Sequence, residues 1–220
     1  MSEEVLFCDF TGVYRSQGIL KGRDTICFSD LSGTGMYVDE DAEKEIKRRL
    51  FAAGIPGKYR IRFLDNGNYH YMTRILASYM EAPFDLITFD NHTDDKPPAF
   101  EGLKSCGSWR LDIVTENKYL RKNMLVRSRQ DFDKAYIPSK LPLYISLDKD
   151  ILSRIVLETN WDQGDMTESE LFGILQELFK TRKIAAFDIC GEALPEGPQE
   201  ANREFNLRIL KLSITEPSPD

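Results

Sequence analysis

The chain has 220 residues, of which 41% are hydrophobic, and this is enough for the core of one α/β domain. Its net charge of −7 disfavours binding to nucleic acid or to an anionic membrane, and no apolar run reaches the ~20 residues of a membrane span. The acidic start of the sequence shows no secretory signal, and the four cysteines form no Cys-x-x-Cys pair. We therefore expect a cytoplasmic protein with reduced thiols.

Strand-like and helical patterns alternate along the chain. We predict strands at 4–10, 24–29, 59–64, 84–90, 124–127, 141–147 and 183–190, and helices at 39–53, 69–80, 109–116, 199–212 and after a capping box that begins at Thr167. This alternation is typical of a three-layer α/β/α fold with a mainly parallel sheet. We predict a single domain over residues 1–215 and a disordered tail at 216–220.

The third predicted strand leads to His70, one of only two histidines in the chain. A turn at residues 65–68 separates this histidine from the strand, so it lies near the start of the next predicted helix. A histidine in this place can be a metal ligand, or it can simply contact its neighbours at a helix start. The residues around His70 leave both interpretations open.

The fourth predicted strand ends in the segment LITFDNHTDD, in which Asp90, His92 and Asp94 follow at a spacing of two. In extended backbone, residues two apart face the same side, so these three side chains can converge on one point. Carboxylate and imidazole groups are ligands for a divalent metal ion. The alternative is a polar loop whose aspartates cap a turn.

Residues 105–109 (SCGSW) come just before a predicted helix. Ser108 and its neighbours are either groups of a substrate pocket or a Ser/Gly-rich helix start beside a buried thiol. Because both histidines are candidate metal ligands, a Ser/His or Cys/His nucleophile is disfavoured.

Later strands also end in acidic residues. Asp148 and Asp150 close the strand at 141–147, and Asp188 and Glu192 lie at the end of the last strand, after a loop that contains Trp161. In parallel sheets, ligands bind beyond the carboxyl ends of the strands, so these groups are expected at one edge. The predicted metal ligands are His70, Asp90, His92, Asp94, Asp148 and Asp150. The predicted substrate-binding residues are Ser108, Trp161, Asp188 and Glu192.

Three segments in this order resemble motifs of the arginase/agmatinase (ureohydrolase) superfamily, whose deacetylase relatives share its fold. They are residues 67–71 (GNYHY), 90–94 (DNHTD) and 146–150 (SLDKD). The resemblance implies an arginase/deacetylase-like fold and two divalent metal ions, with Mn²⁺ as the first choice and Zn²⁺, Fe²⁺ or Mg²⁺ as alternatives. It implies that Asp90 and Asp148 bridge the ions, that His70 and Asp94 complete one site, and that His92 and Asp150 complete the other.

The same resemblance implies hydrolysis of a non-peptide C–N bond in a guanidine, an amidine or an acylated amine. A metal-bridging hydroxide would attack the carbon, and Asp94 would act catalytically by passing a proton to the leaving nitrogen. The expected partner is a small-molecule substrate, without nucleic acid or membrane, and self-association into a homo-oligomer is left open.

Two alternative functions are considered, one because the sequence departs from the family motifs and one because acidic residues can also bind Mg²⁺. The family's substrate-pocket histidine has no counterpart here, and its guanidinium-binding glutamate is displaced by one place to Glu192. The chain could therefore be a metal-binding, non-catalytic arginase-like protein that acts as a sensor or binding partner. The other alternative is a different α/β fold that binds one Mg²⁺ for phosphate chemistry, but no Gly-rich phosphate loop supports this hypothesis.

Overall fold

A computed structural model of the chain describes residues 5–98, 100, 102–136 and 138–212. The strands are β1 (Val5–Asp9), β2 (Asp24–Cys27), β3 (Tyr37–Val38), β4 (Ile61–Phe63), β5 (Phe84–Phe89), β6 (Lys104–Ser105), β7 (Leu120–Val126), β8 (Leu143–Asp148) and β9 (Ile184–Cys190). The helices are α1 (Val13–Ser16), α2 (Glu40–Ala53), α3 (Met72–Ala77), α4 (Trp109–Glu116), α5 (Arg129–Ala135), α6 (Glu168–Thr181) and α7 (Glu200–Ile209). The predicted disordered tail, residues 216–220, lies outside the described residues.

Seven of the strands form one parallel sheet in the order β2-β1-β4-β9-β8-β5-β7. The short strands β3 and β6 pair separately and antiparallel. In the large sheet, β4, β9, β8 and β5 are direct neighbours although they are far apart in the sequence. Their carboxyl ends therefore lie side by side, and the loops that follow them share one edge.

Two hydrophobic cores cover the two faces of this sheet. One core includes residues of α1, α5, α6 and α7, and the other includes residues of α2, α3 and α4. Along β8, alternate side chains enter different cores: Ile145 belongs to the first and Tyr144 to the second. The strand is buried on both faces, as expected for a parallel sheet, and the predicted three-layer α/β/α fold is confirmed.

The ends of two long helices show the predicted cap chemistry. The Asp39 carboxylate accepts a hydrogen bond from Ala42 N, 2.8 Å away, at the start of α2. Thr167 and Glu170 form the complete capping box of α6. No helix within the described ranges is both long and apolar enough to cross a membrane.

Several predicted bounds were wrong. The helix expected at 69–80 is shorter, because Asn66 caps a single 3₁₀ turn (Gly67–Tyr69) before α3 begins at Met72. The strand expected at 124–127 begins earlier, at Leu120, since pairing with β5 extends it. The sequence analysis did not predict α1, α5 or the β3–β6 pair, which are short and carry little periodic signal.

Candidate metal centre

The six predicted ligands meet at the carboxyl edge of the central strands. The Nδ1 atom of His70 is 3.3 Å from Oδ2 of both Asp90 and Asp94. The same nitrogen is 3.2 Å from Asp148 Oδ2. His70, Asp90 and Asp148 are almost completely buried, whereas the side chain of Asp94 is 12% exposed. We call Asp90, Asp94, Asp148 and Asp150 the aspartate cluster.

His92 joins the cluster from its more open side. Its Nδ1 atom lies 2.7 Å from Asp150 Oδ2 and 3.7 Å from Asp90 Oδ1, and its side chain is 34% exposed. Two groups of potential ligand atoms therefore share Asp90. One group consists of His70, Asp90 and Asp94, and the other of Asp90, His92 and Asp150.

Three of the aspartates use their two oxygens differently. Oδ1 of Asp90 accepts a hydrogen bond from His92 N at 2.6 Å, and Oδ1 of Asp148 accepts one from Asp150 N at 3.0 Å. Oδ1 of Asp150 accepts from Asn91 N at 3.0 Å. In each case Oδ2 faces a histidine. Turn capping, the alternative interpretation of these residues, thus occupies one oxygen and leaves the other turned to the centre.

Neighbouring side chains fix the orientation of the ligands. The Ser146 hydroxyl lies 2.9 Å from Nε2 of His70, so its contact with the far side of the ring leaves Nδ1 facing the carboxylates. Trp109 donates its indole N–H to Asp94 Oδ2 at 2.6 Å, and its ring packs against His70 at 4.6 Å between centroids. Neither contact was predicted, although Ser146 shares its side of β8 with Asp148.

Buried charges shift the acidity of these groups. Burial alone would lower the pKa of His70, but the nearby carboxylates of Asp148, Asp90 and Asp94 raise it well above its usual range. Burial, together with the charges of Asp94 and Asp150, raises the pKa of Asp90 well above that of an ordinary aspartate. Burial and the charge of Asp148 raise the pKa of Asp150 to about 6. Without a counter-charge, the cluster therefore retains protons.

The residues present fit divalent cations. Nδ1 of His70 and Oδ2 of Asp90 are buried atoms that have no hydrogen-bond partner among the described residues. Unpaired buried polar atoms are costly, and a cation would satisfy both. Four carboxylates balance two divalent ions, and a set dominated by oxygen suits Mn²⁺. The role of the six side chains as ligands remains a prediction.

Cys190 is a further potential ligand that the sequence analysis missed. Its sulfur groups with His70 and Asp148, and Cys190 is the last residue of β9. The next residue, Gly191, has a left-handed φ of +90°, and a Cβ atom there would lie 2.2 Å from Asp148 Oδ1. Only glycine lets β9 turn away this close to the cluster.

A cavity of about 560 Å³ lies above the aspartate cluster. Its lining includes His92, the whole aspartate cluster, Trp161 and the apolar side chains of Met36 and Leu103. This volume is typical of a small-molecule site. The cavity edge is completed by the loop after β5, where Lys96 N donates to Gly107 O at 3.2 Å.

Of the four predicted substrate-binding residues, only Trp161 lines this cavity. Ser108 is buried and accepts hydrogen bonds from the backbone and hydroxyl of Ser105, as expected for the helix-start alternative. Asp188 is buried beside Arg62, 2.6 Å away, and Tyr144, 2.5 Å away. Its side chain leaves β9 on the α2–α4 side of the sheet and does not reach the edge. The geometry does not support Ser108 or Asp188 as substrate-binding residues.

Glu192 is likewise turned away from the cavity. It is completely buried, and its Oε1 atom lies 2.7 Å from Lys149 Nζ. The surrounding amides complete a group that we call the lysine cluster: Gln17, Lys149, Glu192, Asn202 and Asn206. The structure therefore does not bring Glu192, a predicted substrate contact, to the cavity, because it pairs with a buried lysine that the sequence pattern did not reveal.

Known proteins resemble this chain in sequence and in fold. No protein-family model matches the sequence. An uncharacterized protein of Thermotoga maritima is 30% identical over an alignment of 218 residues, and the match covers 92% of this chain and 86% of that protein. This chain belongs to the same family as the Thermotoga protein.

Two solved structures identify the fold. Proclavaminate amidino hydrolase of Streptomyces clavuligerus superimposes with a TM-score of 0.68 at 12% identity, over 95% of this chain and 90% of that one. The formiminoglutamase of Trypanosoma cruzi with Mn²⁺ gives a TM-score of 0.65 at 11% identity, over 94% and 92%. The chain is an arginase-fold protein. The predicted resemblance to the arginase/agmatinase superfamily is thereby confirmed in the fold.

Proposed function

We propose that this arginase-fold protein is a metal-dependent hydrolase that cleaves a non-peptide C–N bond in a small molecule. The observation that carries the proposal is the pair of ligand groups that share Asp90 beneath the cavity. The likeness in fold to an amidino hydrolase and to an Mn²⁺-containing formiminoglutamase supports it.

The ligand groups fit two divalent ions, with Mn²⁺ as the first choice. His70 and Asp94 would hold one ion, His92 and Asp150 the other, and Asp90 would contribute to both. Asp148, which faces His70, would be the second shared ligand. Such ions, when bound, supply Lewis acidity and lower the pKa of water towards neutrality.

The protein's own groups position the reactants and move the proton. Asp94 lines the cavity, and Trp109 and His70 hold its Oδ2 atom in place. We assign Asp94 as the group that takes a proton from water and returns it to the leaving nitrogen. Trp161 and the apolar cavity residues exclude bulk water from the bond that is cleaved.

The open cavity favours an enzyme over a non-catalytic sensor. In a non-catalytic relative that no longer binds a substrate, we would expect the side chain of Trp109 or Trp161 to fill the groove. Instead, Trp109 is fully buried beneath the site, and Trp161 forms one wall of a space that remains about 560 Å³.

The proposal is tested by removing metal with a chelator, restoring Mn²⁺, and screening guanidines, amidines and acylated amines for amine or ammonia release. We expect turnover with at least one class only after Mn²⁺ is restored. Asp94→Asn should lower the turnover number about 10²-fold or more. Asp95→Asn is the matched control, because the side chain of Asp95 is 48% exposed and, among the described residues, forms an ion pair only with Arg110, at 3.9 Å. Two bound ions without hydrolysis of any compound would favour the sensor instead.

A further inference from the structure

The cavity above the aspartate cluster is lined by both acidic and cationic side chains, and the proposed metal ions would neutralise only the acidic ones. Among the described lining residues, the only acids are the four members of that cluster, and all four belong to the proposed ligand set. The lining also contains two cationic side chains, Lys96 and Arg127. Two divalent ions would neutralise the carboxylates, and the loaded cavity would then be left with two positive charges.

The two cations come from different elements whose backbones are held in place. Lys96 is fixed by its N–H bond to Gly107 in the loop after β5, and Arg127 directly follows β7. The Arg127 N–H donates to Asp131 Oδ2 at 3.2 Å. Neither the Lys96 ammonium nor the Arg127 guanidinium has an ion-pair or hydrogen-bond partner in the described part of the chain. Both are therefore available to a ligand in the cavity.

The same inventory offers no counter-charge to a cationic substrate. Glu192 is neutralised by Lys149, and Asp188 is held by Arg62. A guanidinium or amidinium ion would have to approach metal ions without a free carboxylate among the described residues that line the cavity, which electrostatics disfavours. An amide carbon is uncharged and carries no such penalty.

We propose that the substrate is an acylated amine that carries a carboxylate group. Its amide lies over the aspartate cluster, and its carboxylate is bound by Arg127, through two parallel hydrogen bonds, and by Lys96. Hydrolysis adds one water: the C–N bond breaks, the acyl carbon gains the oxygen to become a carboxylic acid, and the nitrogen gains a proton to become an amine. This inference rests on the proposed function and narrows its three substrate classes to one.

Calorimetry with Mn²⁺-loaded protein and three probes tests the charge preference without turnover. The probes are 4-acetamidobutyrate, its uncharged methyl ester, and the cation butylguanidine. We expect the acid to bind about tenfold more tightly than the ester, because exchange of water for a charge-assisted pair is favourable. Butylguanidine should bind more weakly than the acid.

Variants assign this preference to the two cations. In the double variant Lys96→Gln/Arg127→Gln, the acid should lose its advantage over the ester, and the number of bound Mn²⁺ ions should not change. The matched control is Lys140→Gln/Arg154→Gln, which removes two exposed cations that do not line the cavity. Tighter binding of butylguanidine, an acid preference that survives in the double variant, or no binding of the acid would each overturn the inference.

Failure of the proposed function gives a different result. If the acid binds, the double variant loses it, and no amide is hydrolysed, the charge preference stands and the hydrolase proposal fails. If Mn²⁺-loaded protein hydrolyses butylguanidine, and the double variant does so equally well, the hydrolase proposal stands and this inference fails.

Discussion

Two buried charged clusters lie on opposite sides of the same strand end, and they differ in how their charges are balanced. At the end of β8, Asp148 and Asp150 belong to the aspartate cluster, whereas Lys149 between them belongs to the lysine cluster. Strand β8 ends at Asp148, and the 3₁₀ turn Lys149–Ile151 that follows directs the Lys149 side chain away from those of Asp148 and Asp150.

The lysine cluster is satisfied by the chain itself. Lys149 Nζ contacts Glu192, Asn202 and Asn206, at 2.7, 2.6 and 3.3 Å. No side-chain nitrogen or oxygen of this cluster is among the buried unpaired atoms of the described residues. By contrast, Oδ2 of Asp90 in the aspartate cluster and Nδ1 of the adjacent His70 are such atoms, and the cluster has an excess of negative charge. One cluster holds the strand end in place, and the other needs a cation.

The largest effect is expected when a shared ligand of the aspartate cluster is removed. Asp148→Ala should abolish binding of both ions, because Asp148 is a predicted bridge and faces His70 at 3.2 Å. Metal analysis after dialysis against Mn²⁺ measures the result. The matched control Asp95→Ala should still bind two ions per chain, and full occupancy in Asp148→Ala would refute the ligand assignment.

In the lysine cluster, loss of one partner should cost stability and not metal. Lys149→Met leaves the Glu192 carboxylate buried without its cation, and we expect the free energy of unfolding to fall by roughly 3–5 kcal/mol. Urea denaturation of the metal-free protein measures this change. The double variant Lys149→Met/Glu192→Met should recover at least half of the loss, and the exposed control Lys140→Met should change stability by less than about 0.5 kcal/mol. Equal stability of Lys149→Met and the unaltered protein would contradict the comparison.

Added Mn²⁺ should stabilise the protein in a pH-dependent way. At a hundred times its dissociation constant, one bound ion adds about 2.7 kcal/mol to the free energy of unfolding. The ion competes with protons on His70, whose pKa is raised by its carboxylate partners, and on Asp150, whose pKa is raised to about 6 by burial and by Asp148. Metal binding therefore releases protons, and the stabilisation should grow as the pH rises, first as Asp150 loses its proton near pH 6 and then through the higher range in which His70 loses its own.

Melting temperatures with and without Mn²⁺ across this pH range measure the effect. Asp148→Ala serves as the control and should show no Mn²⁺-dependent shift at any pH. A shift of the same size at pH 5 and pH 8 would mean that the ion binds elsewhere.

The smallest effect is expected when the contact between Ser146 and the metal ligand His70 is removed. Ser146→Ala removes the hydroxyl next to Nε2 of His70 and frees the ring to rotate. We expect Mn²⁺ affinity to fall about 10- to 100-fold, while two ions still bind at saturation. Calorimetric titration compares this variant with Ser169→Ala, an exposed serine of α6. Unchanged affinity would mean that packing against Trp109 alone orients His70.

Much of the fold and of the ligand set was predictable, because these features depend on the residue pattern within short segments of the sequence. Strand β5 and the spacing of Asp90, His92 and Asp94 lie within eleven consecutive residues, and helix α4 matches its predicted bounds. The substrate contacts were less predictable, because a charged residue at a strand end can face either side of the sheet. Glu192 and Asp188 were assigned to the cavity, but distant partners hold both elsewhere.

The sequence by itself determined which side chains follow each strand, because these polar residues come directly after the apolar run of the strand. Within a strand, the two-residue repeat of extended backbone also determined which residues share a face. Only the tertiary structure decided that β4, β9, β8 and β5 are neighbours, because strand pairing depends on surfaces contributed by distant parts of the chain. That order brings Cys190 to His70 and gives Lys149 its partner in Glu192, and the pairing of β7 with β5 places Arg127 on the same cavity as Lys96.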